Sequence, residues 1–202
     1  PWISDDNLKT VVRSLTTIEN LSLIEANKKN YNSLIKYITV EQDIDGRRQN
    51  RTVKIIDFDN IENNDFIVTN QFKVSGLKEN IVPDIILFVN GLPLAVIECK
   101  SPYITNPMEA GINQLFRYSN TRRPDEKEGA EKLFHYNQIV VSTHNKHARL
   151  GTITSRYEHY LEWKDVYPRK IEDYNNKSYQ EILIDGIFNH QNFLDIIQNF
   201  IV

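Results

Sequence analysis

Between residues 84 and 100 the chain offers two short runs, 84–89 and 94–100, that are apolar at almost every position instead of every second one. A strand with one wet face alternates, whereas a strand covered on both faces reads as a continuous apolar run. Two such runs, joined by Asn90-Gly91-Leu92-Pro93, require a sheet with cover on both sides and point to a layered α/β class. The same runs carry Asp84, Glu98 and Lys100. A charge taken out of water is costly unless paired or bound to a metal, so these three residues need a physical explanation. Glu98 and Lys100, two apart, project from one face of their strand, while Cys99 points the other way, into packing.

The remaining segments supply the covering layers. Ser4 is a predicted N-cap for a helix over 5–18, with Asp5 and Asp6 in its first turn. Leu21, Ile24, Tyr31, Leu34, Ile35 and Ile38, at three- and four-residue spacings, predict a second helix over 21–37. Glu25 lies beside that stripe, where the ordinary reading is a solvated flank residue and the sharper one a functional acid. Runs over 38–44 and 51–58, separated by polar 45–50, read as a hairpin, and 66–74 alternates as a strand should. Asn106, Pro107 and Glu109 predict the N-cap, first turn and capping box of a helix reaching about residue 120. Strands over 138–143 and 148–153 flank His144-Asn145-Lys146-His147, and 178–188 and 191–202 read as amphipathic helices. The expected fold is α/β, a central mixed β-sheet flanked by helices.

Composition narrows the setting. With 202 residues, 40% hydrophobic and 25% charged, the chain is globular and large enough for a core without staples. Its single cysteine, Cys99, makes no internal disulfide and suits a reducing, cytoplasmic compartment. No run approaches the roughly 20 apolar residues of a membrane span, and no basic, apolar leader opens the chain. A start at Pro1 and an end at Val202 within a helical pattern suggest a piece of a longer protein. A net charge of −3 argues against a general polyanion binder, so any nucleic-acid site is expected to be local.

The acids on the buried runs suit metal-assisted phosphodiester cleavage. Asp84 and Glu98 offer hard oxygens to Mg²⁺, with the Cys99 backbone carbonyl as a third ligand. Lys100 can orient a water or stabilise developing charge. The bland alternative is an Asp at a strand start and a side-by-side Glu98–Lys100 ion pair. Gln114 and Tyr118, four apart on the predicted helix, share a face and could hold a water, a phosphate or the outer shell of a metal. The two acids share a face only if paired residue numbers sum to an even value. A two-residue Asn90-Gly91 turn gives an odd sum, so the expectation is a three-residue loop with Gly91 left-handed, or a bulge near Asp84. His144 and His147 have metal-pair spacing but no acidic or cysteine partner nearby in sequence, and read as a polar turn. Arg47, Arg48, Arg51 and Lys54, like Arg122 and Arg123, could touch phosphates, but such short charged stretches ordinarily read as solvated charge.

Pro83-Asp84 followed by Glu98-Cys99-Lys100 resembles the PD-(D/E)xK nuclease superfamily, and Gln114-x-x-x-Tyr118 the added QxxxY motif of its RecB-like branch. The longer string is similar to the N-terminal nuclease domain of the restriction (HsdR) subunit of type I restriction–modification enzymes. It is carried by Glu25-Ala26-Asn27, Ile56-Asp57-Phe58-Asp59-Asn60, Asn63-Asn64-Asp65-Phe66, Asn70-Gln71-Phe72, Phe88-Val89-Asn90-Gly91-Leu92-Pro93-Leu94 and Ala148-Arg149-Leu150-Gly151. The resemblance runs from about residue 18 to the C-terminus, with Cys99 where the family usually has leucine. It implies a restriction-endonuclease-like fold over 1–170, with 171–202 as the helical start of a linker towards motor domains. It implies Asp84 and Glu98 as metal ligands, Lys100 as the catalytic lysine, Gln114 and Tyr118 as accessory residues, and Glu25 as a helix-borne acid reaching the site. The implied activity is a type I site-specific deoxyribonuclease, a Mg²⁺-dependent endonuclease cutting double-stranded DNA without sequence readout of its own. ATP and S-adenosylmethionine would belong to the complete enzyme, since no G-x-x-x-x-G-K-[ST] occurs here. The implied partners are DNA, the methyltransferase and specificity subunits, and the motor of the same R subunit. The alternative is a docking or DNA-holding module of the same fold whose acids are structural.

Overall fold

The computed structural model describes residues 2–17, 21–121 and 128–201. Its centre is a five-stranded mixed sheet of β3 (Phe66–Asn70), β4 (Ile85–Val89), β5 (Leu92–Cys99), β6 (Ile139–His144) and β7 (His147–Gly151), in that spatial order. Only β5 and β6 pair in parallel. Their crossover carries α3 (Pro107–Tyr118) and the short α4 (Glu131–Phe134), as parallel neighbours require. Upstream lie α1 (Asp5–Thr16), α2 (Leu23–Lys36) and a separate hairpin of β1 (Ile38–Ile44) and β2 (Arg47–Val53); downstream lie α5 (Tyr179–Ile187) and α6 (His190–Asn199). Among the described residues no helix is long and apolar enough to cross a membrane.

Alternate strand residues serve two cores, as the continuous apolar runs demand. Ile86, Val96 and Val140 pack with Ile112, Leu115 and Tyr118 of α3 and with Leu133 and Phe134 of α4. Ala95, Ile97, Ile139 and Val141 pack on the other side with Leu34, Leu183, Ile187, Phe193, Leu194 and Ile197. Glu98 follows Ile97 and so belongs to the α3 face.

Several local expectations shift. The β1–β2 turn is the two residues Asp45 and Gly46, both at positive φ, so Arg47 and Arg48 are paired strand residues and β2 ends at Val53. Residues 54–58 leave the ladder and place Ile56 in the core. Ser4 caps α1 as expected, accepting from the Asn7 N–H at 3.3 Å; the helix closes at Thr16, and residue 18 lies outside the described residues, as do Arg122 and Arg123. The capping box at α3 does not form. Asn106 is left-handed (φ 51°) and its amide donates to Glu109 Oε2 at 3.3 Å, because the chain must turn sharply into Pro107.

The β4–β5 register resolves the parity problem by a route only half anticipated. The turn has two residues, Asn90 (φ 50°) and Gly91 (φ 80°), which gives Val89↔Leu92 and Phe88↔Pro93. Leu94 is then an extra residue, and from Leu87↔Ala95 to Ile85↔Ile97 the sums are even. A bulge restores the register, but at the turn rather than beside Asp84, where Pro93 has no N–H to give to a ladder. Asn90 fixes the turn from outside. Its Nδ2 donates to the Ile55 carbonyl and to Asn64 Oδ1, both at 2.9 Å, and its Oδ1 accepts from the Asp65 N–H at 2.8 Å.

Beyond residue 170, α5 and α6 pack onto the sheet. Leu183, Ile187, Phe193 and Ile197 belong to the same buried cluster as the sheet, and the Tyr31 hydroxyl reaches the carbonyls of Ile197 (3.0 Å) and Ile201 (2.8 Å). The apolar faces of α5 and α6 need a partner, and the sheet face opposite α3 needs cover. Phe193→Ala is therefore expected to cost about 3–5 kcal/mol of stability in urea titrations, and a chain ending at residue 170 to lose its cooperative transition. A linker role predicts near-neutral effects for both.

Candidate active site

The even register sets Asp84, just before β4, opposite Glu98 near the end of β5. Asp84 Oδ2 accepts from the Cys99 N–H at 2.8 Å, so the backbone itself holds this carboxylate against β5. Glu98 is 2% exposed. Its Oε1 accepts from Lys100 Nζ at 2.6 Å, and its Oε2 is buried with no hydrogen-bond partner. Burial, opposed by Lys100 and reinforced by the neighbouring Asp84, pushes the Glu98 carboxyl up to about 7.

A relay runs from this pair into α3. Lys100 Nζ also donates to Gln114 Oε1 at 2.5 Å, Gln114 Nε2 donates to the Tyr118 hydroxyl at 2.5 Å, and that hydroxyl donates to the Val82 carbonyl at 3.4 Å. Val82 is two residues before Asp84, so the relay starts at one acid and returns beside the other. The Tyr118 phenol is raised to about 12, chiefly by burial. Gly111 lets the helix come this close: a Cβ there would lie 2.2 Å from Ser142 Oγ and 3.4 Å from Lys100 Cγ. Sequence reading missed Gly111, although a glycine inside a helical pattern is a cue to close approach.

The structure thus brings together Asp84, Glu98, Lys100, Gln114 and Tyr118, and leaves Glu25 out. The Glu25 carboxylate is exposed and serves its own helix, accepting from the Ser22 N–H (2.9 Å) and hydroxyl (2.7 Å) in a capping box at the start of α2. Cys99 does turn to the opposite face, beside Ile85, Ile97 and Val141, but it is exposed rather than packed because β5 ends there. His144 and His147 close the β6–β7 turn with rings 5.2 Å apart. A cavity of about 700 Å³ lies along α3 between Ser22, Phe116 and Tyr157, and is lined by neither Asp84 nor Glu98.

Among the described residues no three His, Cys, Asp or Glu side chains gather as a metal cluster. A cation at Asp84 and Glu98 would complete its shell from the Cys99 carbonyl and water. The donor set is all hard oxygen, which suits Mg²⁺ or Mn²⁺ rather than zinc. Glu98 Oε2, which Lys100 leaves unpaired, lies beside the Asp84 carboxyl and is placed to take such an ion.

A family profile described as "Type I restriction enzyme R protein N terminus" matches residues 3–159. The HindI endonuclease subunit of a Haemophilus influenzae type I restriction enzyme is 30% identical over 210 residues, covering all of this chain and 19% of that protein. A Methanocaldococcus jannaschii protein provisionally named a type I restriction enzyme endonuclease subunit, MjaIXP, is 29% identical over 220 residues, covering all of the chain and 20% of that protein. The EcoprrI endonuclease subunit of Escherichia coli is 26% identical over 166 residues, 78% of this chain and 50% of that sequence. The chain thus spans about a fifth of the length of the first two relatives.

The raised Glu98 carboxyl has a pH signature. Between about pH 4.5 and 7 the folded state holds a proton that the unfolded chain releases, so stability is full below that window and is lost as pH rises through it. In chelator, this loss is expected to reach on the order of 3 kcal/mol, and Glu98→Gln to remove it. Urea titrations across the window, wild type against variant, measure both.

Proposed function

The chain belongs to the family of type I restriction enzyme R protein N-termini, and from that premise we propose that it is the Mg²⁺-dependent endonuclease domain of such an enzyme. It hydrolyses phosphodiester bonds of double-stranded DNA and reads no sequence of its own. The observation that carries this reading is the buried, unpartnered Glu98 Oε2 beside Asp84 and Lys100. A Mg²⁺ ion held by Asp84, Glu98 and the Cys99 carbonyl would polarise the scissile phosphate and acidify a bound water.

The protein's own groups do the rest. Asp84 is preset by the Cys99 N–H, so little is lost in ordering it on binding. Lys100, held between Glu98 and Gln114, presents an ammonium group where negative charge develops on the phosphate. Gln114 fixes that ammonium from α3, and Tyr118 orients the Gln114 amide. ATP and S-adenosylmethionine act in the complete enzyme, in the motor and methyltransferase parts. DNA, the methyltransferase and specificity subunits and the motor of the R subunit are its partners, and its compartment is the cytoplasm.

Two measurements test the reading. Mg²⁺ or Mn²⁺ at about ten times its Kd should stabilise the chain by roughly 1.4 kcal/mol, a Tm rise of about 3–6 °C over matched NaCl. Glu98→Ala should lose the rise. Equal shifts in both proteins would favour the docking-module alternative. In the complete enzyme, Asp84→Ala, Glu98→Ala and Lys100→Ala should each abolish DNA cleavage and leave ATP hydrolysis largely intact, with Gln114→Ala and Tyr118→Ala milder. Wild-type cleavage by Lys100→Ala would refute the assignment.

A further inference from the structure

The segment 101–106 leaves the site at Lys100 and re-enters it through α3, so both its ends are fixed by groups of the relay. It turns at once: the Tyr103 N–H donates to Ser101 Oγ at 3.3 Å and the Ile104 N–H to the Ser101 carbonyl at 3.5 Å. At its tip Tyr103 is 96% exposed, and Ile104 beside it is 42% exposed. Single exposed apolar residues are common on protein surfaces. What sets Tyr103 apart is its place: three residues of chain span at most about 11 Å, so the ring stays within a few nucleotides of any phosphate at Lys100.

The Lys100 ammonium is engaged by Glu98 and Gln114, and the chain as a whole carries −3, whereas sequence-independent DNA binding ordinarily draws on unpaired cations. Stacking of an aromatic ring on a base is the sequence-independent alternative, because every base has a π-face. Resting on the nuclease reading above, we propose that Tyr103, backed by Ile104, stacks on a base of the strand being cut and holds it beside the scissile phosphate. In a duplex this requires a locally unstacked step, as apolar wedges produce elsewhere.

The test uses the complete enzyme with its DNA substrate, Mg²⁺ and ATP. Tyr103 supports no part of the core, so Tyr103→Ala should leave subunit assembly and ATP hydrolysis unchanged while slowing single-turnover cleavage roughly 5- to 150-fold, the range for loss of one base-stacking aromatic. Tyr103→Phe and Tyr103→Trp should stay within about threefold of wild type, and Tyr103→Leu should not. Wild-type cleavage by Tyr103→Ala, with Lys100→Ala inactive, would overturn this inference and leave the nuclease reading standing. Rescue by Tyr103→Leu, or loss of assembly or ATP hydrolysis in Tyr103→Ala, would overturn it in favour of an apolar contact with another protein segment. Cleavage by Lys100→Ala at the wild-type rate would remove the nuclease reading and this inference together.

Discussion

A carboxylate placed inside a doubly covered sheet is the constraint on which the rest of this domain depends. Glu98 sits one residue from the end of β5, in a row where Val96 and Val140 are core residues of the α3 face. Lys100 pairs with one oxygen at 2.6 Å and offsets only part of the cost of burying the Glu98 charge. Removing one partner of a buried pair typically costs about 3–5 kcal/mol, so Lys100 serves the fold as well as the chemistry. The second oxygen is left without a partner. A domain built only for stability would gain by filling that position with an apolar residue; what sets Glu98 apart is that Asp84 and Lys100 face it.

The surrounding elements are arranged to serve that row. Gly111 lets α3 approach β6 until its neighbouring residues can deliver Gln114 and Tyr118 to Lys100. The Val82 carbonyl receives the far end of the relay, and the Cys99 N–H holds Asp84. Every side chain of the relay stands on a strand, on a helix or immediately beside one. Such placement gives tighter control of geometry than loops do.

Much of this was legible in the sequence because it depends on local pattern. Continuous apolar runs marked β4 and β5, and their lone charges marked Asp84, Glu98 and Lys100. Four-residue spacing put Gln114 and Tyr118 on one helical face. What was not legible depends on partners far along the chain or on competing local bonds. Glu25 is held by Ser22 three residues earlier, in a capping box that sets the start of α2. Amphipathicity shows that a face of each tail helix is covered and not by what; Phe193 and Ile197 meet the sheet. The left-handed Asn106 reflects the path from Lys100 into α3, which no cap pattern encodes.

The bulge at Leu94 carries a consequence for how such a chain can change over generations. Between Asp84 and Glu98 the sheet behaves as a parity device, in which each residue inserted into or deleted from one arm inverts the face presented by everything on that arm up to the next irregularity. Leu94 is already one such inversion, and it brings the two acids to the same side. Substitutions in the hairpin can accumulate one at a time, but length changes that keep the acids together must come in pairs or bring a second bulge. Asn90, bonded to Ile55, Asn64 and Asp65, further ties the turn to a distant loop. The spacing of thirteen residues between Asp84 and Glu98 is thus a geometric quantity, held fixed by counting rather than by the identity of any side chain between them.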